Sequence, residues 1–302
     1  MKFNIKSLLN RLPYIRGLYR QTLEYKQNSC YPPGHFYSPI VSVKEIKKNE
    51  DQIWPEPVSN KIMGIELNTV GQLETLKEIS KYYSHIPFKS DKQDSLRYYF
   101  ENGYYSYSDG VILFLIINHL KPKRIIEIGS GFSSALMFDT NQLFFGGGIK
   151  LTFIEPNPER LFSIIQENDR KDILVLTKRV QDVNKELFEQ LDRNDILFID
   201  STHVSKTGSD VNFILFEILP KLKSGVFIHF HDIAYPFEYP KDWVFGGRNW
   251  NENYLLKAFL MYNKEFGIYL FTHYMHLYHR EAFANIPLTY KNIGGTLWIE
   301  KK

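Results

Sequence analysis

The chain has 302 residues, 43% of them hydrophobic, 24% charged and 16% aromatic, and carries a formal net charge of +3 at pH 7. That length supports a sizeable core, while so small a charge argues against a nucleic-acid partner. The single cysteine, Cys30, excludes an internal disulfide and a cysteine-based zinc site and suits a cytoplasmic location, and no apolar run approaches the ~20 residues of a membrane-spanning helix.

Phe3, Ile5, Leu8, Leu9, Leu12, Ile15, Leu18 and Leu23 recur at roughly helical spacing. Lys2, Lys6, Arg11, Arg16, Arg20 and Lys26 lie between them, against one acid, Glu24. Residues 1–26 therefore suit peripheral contact with an anionic membrane surface. They also suit packing on the protein's own body or on a second copy in a homo-oligomer, the plainer reading, and Pro13 would interrupt the helix in each case. Residues 27–60 read as irregular because of Pro32-Pro33-Gly34 and Trp54-Pro55-Glu56-Pro57. A helix is expected over 69–84. Residues 1–100 are taken as an N-terminal extension covering a main domain at 101–302.

From there strands and helices alternate. A helix at 109–120 precedes strand 124–128, and a further helix starts near 133. Strands at 150–155, 173–177, 195–200 and 225–230 are followed by helices at 158–167, 184–191, 208–221 and 252–263. Two final strands, near 267–272 and 296–300, complete a doubly wound, mostly parallel seven-stranded α/β sheet of Rossmann-like type. In such sheets the ligand sits at the carboxyl ends of the strands, near the switch point.

Polar residues gather at those ends. Gly129-Ser130-Gly131 follows the first strand and opens a helix, as a nucleotide-type turn does. Glu127 lies inside that strand, Glu155 ends the second, Gln181-Asp182 follow the third, Asp200 ends the fourth and His231-Asp232 follow the fifth. Glu155 is placed to accept hydrogen bonds from a ribose diol.

Glu127-x-Gly129-x-Gly131, an acid ending the second strand and Phe198-Ile199-Asp200 ending the fourth resemble class I S-adenosylmethionine (SAM)-dependent methyltransferases over roughly residues 100–302. Ile154-Glu155-Pro156, Phe198 to Val204, Ile228 to Asp232 and Gly294-Gly295-Thr296-Leu297-Trp298 resemble a bacterial subgroup allied to natural-product sugar O-methyltransferases. The resemblance implies that Gly129, Ser130 and Gly131 border the methionine part of SAM, with Glu127 near its cationic end. It also implies that Glu155 binds the ribose and that Gln181 and Asp182 lie by the adenine. A dehydrogenase of the dinucleotide-binding type usually has an apolar residue in place of Glu127 and glycine in place of Ser134.

By the same resemblance, Asp200, His231 and Asp232 would hold a divalent metal that gathers the acceptor's oxygens, although His231 stands where many relatives have an acid. Without a metal, His203 or His231 serves as general base beside Asp200, since imidazole accepts a proton near neutral pH. The aromatic segment Tyr235–Tyr254 after the fifth strand is expected either to build the pocket for a small-molecule acceptor, such as a saccharide, or to pack beneath the extension. Glu252 reads as the structural start of a helix. His273, His276 and His279 read as surface or pocket-rim residues, and Tyr104, Tyr105 and Tyr107 as a cover over the cofactor. The expected activity is O-methylation of a hydroxyl on a saccharide or glycosylated small molecule. The alternatives are an NAD(P)-dependent oxidoreductase and a non-catalytic, membrane-associated scaffold.

Overall fold

The computed structural model describes residues 12–302, so the part of the basic N-terminal pattern before Leu12 lies outside the described residues. Two compact units are present, one made of residues up to Glu56 with Lys241–Asn249 and the other of Pro57–Pro240 with Trp250–Lys302.

The first unit contains α1 (Pro13–Asn28), α2 (Val43–Lys48), α3 (Glu50–Ile53) and the short helix Lys241–Phe245. Helix α1 begins at Pro13, with Leu12 extended before it, because the first helical position needs no amide donor. No residue of α1 is buried, and Leu12, Tyr14, Leu18, Tyr19 and Leu23 are exposed. Ser42 caps α2 by accepting from the Glu45 amide. Trp54 meets Phe245 edge to face, with ring centroids 5.8 Å apart.

The second unit carries the sheet. Its helices are α4 (Thr69–Ile79), α5 (Tyr107–Leu120), α6 (Phe132–Phe145), α7 (Glu159–Ile164), α8 (Asp210–Phe213), α9 (Glu252–Leu260) and α10 (Thr272–Tyr278). The strands are β1 (Arg124–Ile128), β2 (Lys150–Ile154), β3 (Ile173–Leu176), β4 (Ile196–Ile199), β5 (Phe227–Phe230), β6 (Phe266–Phe271) and β7 (Leu297–Lys301). They form one seven-stranded sheet in the order β3-β2-β1-β4-β5-β7-β6. The first five strands pair in parallel, and β7 runs antiparallel to both β5 and β6. This is the expected doubly wound α/β architecture.

Helices on both faces bury the central strands completely, which is why β4 reads Ile-Leu-Phe-Ile with no alternation. Phe153, Phe198, Phe230 and Trp298 are the large side chains of that core, and each contributes roughly 1.5–3 kcal/mol of burial. Helix α5 is buried over almost its whole length and packs against α4 and α6.

Residues 57–100 belong to this unit, so the compact-unit boundary lies at 56/57, away from the expected position near 100. Helix α4 packs on β6, where Asn68 Nδ2 donates to the Ile268 carbonyl at 3.0 Å and Gln72 Oε1 accepts from the Phe271 amide at 2.6 Å. Two expected helices differ in detail. Residues 185–190 form a 3-10 segment, and the helix expected over 208–221 is α8 followed by a π turn at Ile214–Ile218 and a 3-10 turn at Leu219–Lys221. Pro220, which has no amide to donate, lies within that last turn.

Candidate active site

The site sits where β1 and β4 diverge, the switch point of the sheet. Ile128 and Ile199 are register partners, so Gly129 and Asp200 leave the sheet side by side. Gly129 has φ +82°, and a Cβ on it would lie 1.8 Å from the Asp200 carbonyl oxygen. Only glycine fits, on both backbone and steric grounds.

Glu127 is fully buried beneath this turn. Ser133 Oγ donates to its Oε1 at 2.5 Å and Ser134 Oγ donates to its Oε2. Burial pushes its carboxyl up to about 8, against the pull of these hydroxyls. Its role in this arrangement is to fasten β1 to the first turn of α6. It is not among the residues lining the adjacent cleft.

That cleft, about 390 Å³, is lined by Gly129, Glu155, Gln181, Asp200, Lys206 and Asp210 among others. Glu155 bridges two strand ends, since its Oε2 accepts from the Ser130 amide at 3.1 Å and its Oε1 from the Asn157 amide at 2.8 Å. Gln181 Nε2 donates to the Gly208 carbonyl at 2.8 Å. The exposed Asp182 carboxylate accepts from the Arg179 guanidinium at 2.8 and 2.9 Å. Ser209 and Asp210 act as local fasteners of α8. Ser209 caps the helix at Asn212, and Asp210 accepts from the Thr202 amide and hydroxyl.

Beside the cleft, four expected residues meet. His203 is buried, with Nδ1 2.7 Å from Glu252 Oε2 and Nε2 3.4 Å from Asp200 Oδ1 and 3.8 Å from Asp232 Oδ2. Burial disfavours a charged ring, but the bonds to Asp200 and Glu252 outweigh it and push His203 up to about 10. Its backbone adopts φ +59°, a conformation costing a non-glycine residue roughly 1 kcal/mol or more. The Asn251 and Glu252 amides at the start of α9 hold it there by donating to the His203 carbonyl at 3.0 and 3.2 Å. The Trp250 ring lies 4.4 Å from the imidazole, centroid to centroid.

Strand β5 ends at Phe230 and Asp232 has φ +57°, so the chain turns after the strand and Asp232 swings back to the side of His231. His231 Nε2 is 3.5 Å from Asp232 Oδ1. Burial lowers the proton affinity of His231, and Asp232 and Asp200 more than restore it. His229 stays in the core, stacked on Phe198 at 3.8 Å, and burial holds it well below the usual range.

Asp200, His231 and Asp232 do not assemble the expected metal site. Among the described residues no group of three His, Cys, Asp or Glu side chains is disposed to hold an ion. The His203 ring faces both carboxylates, and its other nitrogen is committed to Glu252. The donor set as arranged does not fit a divalent ion.

Three contributors escape a reading of the strand ends. Glu252 is the first residue of α9 and also the partner of His203. Asp109, whose Oδ1 accepts from the Gly295 amide at 2.9 Å, is pushed up by burial and lies within the field of His231 and Asp232. Tyr105 is buried with its ring 5.1 Å from His231, while Tyr104 is exposed and stacks on Phe132. Of the aromatic segment, Tyr235, Phe237 and Tyr239 are buried, and residues 241–249 belong to the other compact unit. His276 is buried and His273 half-buried. His273 Nδ1 accepts from the Tyr235 amide, and His276 stacks on Phe283 at 3.8 Å.

Residues 126–233 match the model of a family described as a methyltransferase domain. An uncharacterized protein of Archaeoglobus fulgidus is 34% identical over 212 residues, spanning 68% of this chain and 90% of that protein. Among solved structures, the chain is similar to the SAH-bound Podospora anserina methyltransferase PaMTH1, with 15% identity, 91% of this chain and 99% of that chain covered, and a TM-score of 0.44. It is also similar to the O-methyltransferase TomG from Streptomyces achromogenes in complex with SAM, with 11% identity, 85% and 96% coverage and a TM-score of 0.41. The stretch matched as a methyltransferase domain contains the strand-end motifs, and the chain belongs to the class I SAM-dependent methyltransferase superfamily.

Proposed function

We propose that this enzyme methylates a hydroxyl group, with His203 as the general base and a saccharide or glycosylated small molecule as the acceptor. The observation that carries this reading is the His203 ring, buried between Glu252, Asp200 and Asp232 at the edge of the cleft that begins at Gly129. In the proposal Glu155 takes the ribose hydroxyls, Gln181 lies toward the adenine, and Gly129, Ser130 and Gly131 border the methionine. Methyl transfer is an in-line displacement. Placing oxygen, methyl carbon and sulfur in line with water excluded supplies most of the acceleration. The base then has only to bare an oxygen lone pair.

Held between acids, His203 rests as imidazolium, so the proton must leave before it can serve. A cationic sulfonium beside Asp200 would weaken the acid's hold on the ring and lower its proton affinity. Glu252 on Nδ1 leaves Nε2 as the nitrogen that accepts the hydroxyl proton. The Trp250 face beside His203 suits the apolar face of a sugar ring, and Asp200 and Asp232 suit its neighbouring hydroxyls. Exposed Leu12, Leu18 and Leu23 beside Arg16, Arg20 and Lys26 on α1 favour contact with an anionic membrane surface, which flotation with anionic liposomes tests.

Calorimetry with S-adenosylhomocysteine (SAH) and NAD, followed by transfer of labelled methyl from SAM to a panel of glycosylated metabolites, tests the proposal. SAH binding and label in an acid- and base-stable ether are expected. Binding of NAD in preference to SAH, or label on nitrogen, would refute it.

A further inference from the structure

We propose that Arg160 holds the α-carboxylate of the cofactor's methionine, a contact outside every motif that marks the site. The inference rests on the cofactor placement proposed above. Arg160 is in the first turn of α7, and its Cδ comes within 3.3 Å of the position a Cβ on Gly131 would occupy. The side chain thus runs directly over the Gly-x-Gly turn. Its guanidinium carbon lies 4.1 Å from the centre of the Tyr104 ring. That ring stacks on Phe132, the first residue of α6, at 5.9 Å and 13°. An arginine laid on an aromatic face keeps its planar edge free for a two-pronged bond to a carboxylate.

The surrounding charges single out this residue. SAM carries two cationic groups and one anionic group, and the acids around the turn, Glu155 and Asp200, repel the anionic one. Among the described cations near the cleft, Arg179 is paired with Asp182, and Lys206 lies beside Gly208–Asp210, on the Gln181 side. No carboxylate among the described residues ion-pairs with Arg160, although its field reaches Asp200 and helps hold that acid ionised. The amides of the turn are already committed. Gly129 donates to Ile154, Ser130 to Glu155 and Gly131 to the Ser134 hydroxyl. A carboxylate arriving over Gly131 therefore meets a guanidinium without an acid partner.

The test is calorimetry of the full chain with two ligands, SAH and the analogue in which hydrogen replaces its carboxylate. Wild type is expected to bind SAH about 10- to 100-fold more tightly than the analogue, as a charge-assisted bidentate pair would give. R160A is expected to lose that preference by weakening SAH alone. R160K, which keeps the charge but not the fork, should fall between them. An equal loss for both ligands, or no loss for either, overturns the assignment and leaves Arg160 as a counter-charge to Asp200. Failure of wild type to bind either ligand overturns the cofactor placement itself, and the Arg160 assignment falls with it. Thermal melts without ligand check that the exposed substitution leaves the fold intact.

Discussion

His203 and Glu252 stand 49 residues apart in sequence and 2.7 Å apart in space. Replacing His203 by Ala should lower methyl transfer by about 10²- to 10⁴-fold, the usual contribution of a positioned base, while SAH affinity measured by calorimetry changes little. A matching loss of SAH affinity would make His203 a binding residue instead. The pH dependence follows from the charge on the ring. In its proposed role His203 acts unprotonated, so the rate should rise with pH toward the value near 10 of the free site. A rate falling over that range would contradict the role. His203 was legible in the sequence because it follows Asp200 at a strand end. Glu252 was not, since an acid opening a helix looks like any favourable first-turn charge, and only the fold carries α9 back to β4.

At the level of the element, the strand-turn-helix from β1 to α6 depends on one glycine. Gly129→Ala should cost roughly 3 kcal/mol or more, by combining a positive φ with a clash against backbone that cannot move. A denaturant midpoint close to wild type, with SAH binding retained, would contradict that account. The alternation of strands and helices was legible from period and turn residues, and so were the strand ends. What local pattern could not convey was the exact path of 208–221. There α8 tightens and loosens through π and 3-10 turns, because the tertiary environment overrides a uniform helical propensity. The family resemblance set Glu127 near the cationic end of the cofactor, and local pattern could not show that Ser133 and Ser134 of the following helix would bond both of its oxygens.

For the whole molecule, the histidines on α10 tie stability to pH. Burial lowers His273 and His276 to about 4, below the unfolded value of 6.5. Between those values the unfolded chain binds protons that the folded chain does not, so stability falls as pH drops from 6.5 toward 4. The contribution is up to ~1.4 kcal/mol per pH unit for each group. His203 and Glu127 act in the opposite sense. Their raised values favour the fold below 6.5 and 4.5 respectively, and that favour is lost as pH rises through about 10 and about 8. Urea midpoints at pH 7 and pH 5 should therefore differ more in wild type than in His276→Gln. Identical differences would remove His276 from the account.

Strand β7 lies between β5 and β6 and runs against both. During synthesis, β1 to β5 can emerge and pair in the order in which they are made. Strand β6 has no such option, because its only neighbour in the sheet is made after it. Until Leu297–Lys301 have left the ribosome, β5 presents an open edge and the slot filled by Trp298 stands empty. A nascent chain arrested before residue 297 should thus be cut readily by protease near β6 while its first five strands resist, and release of the remaining residues should close the sheet in a single step.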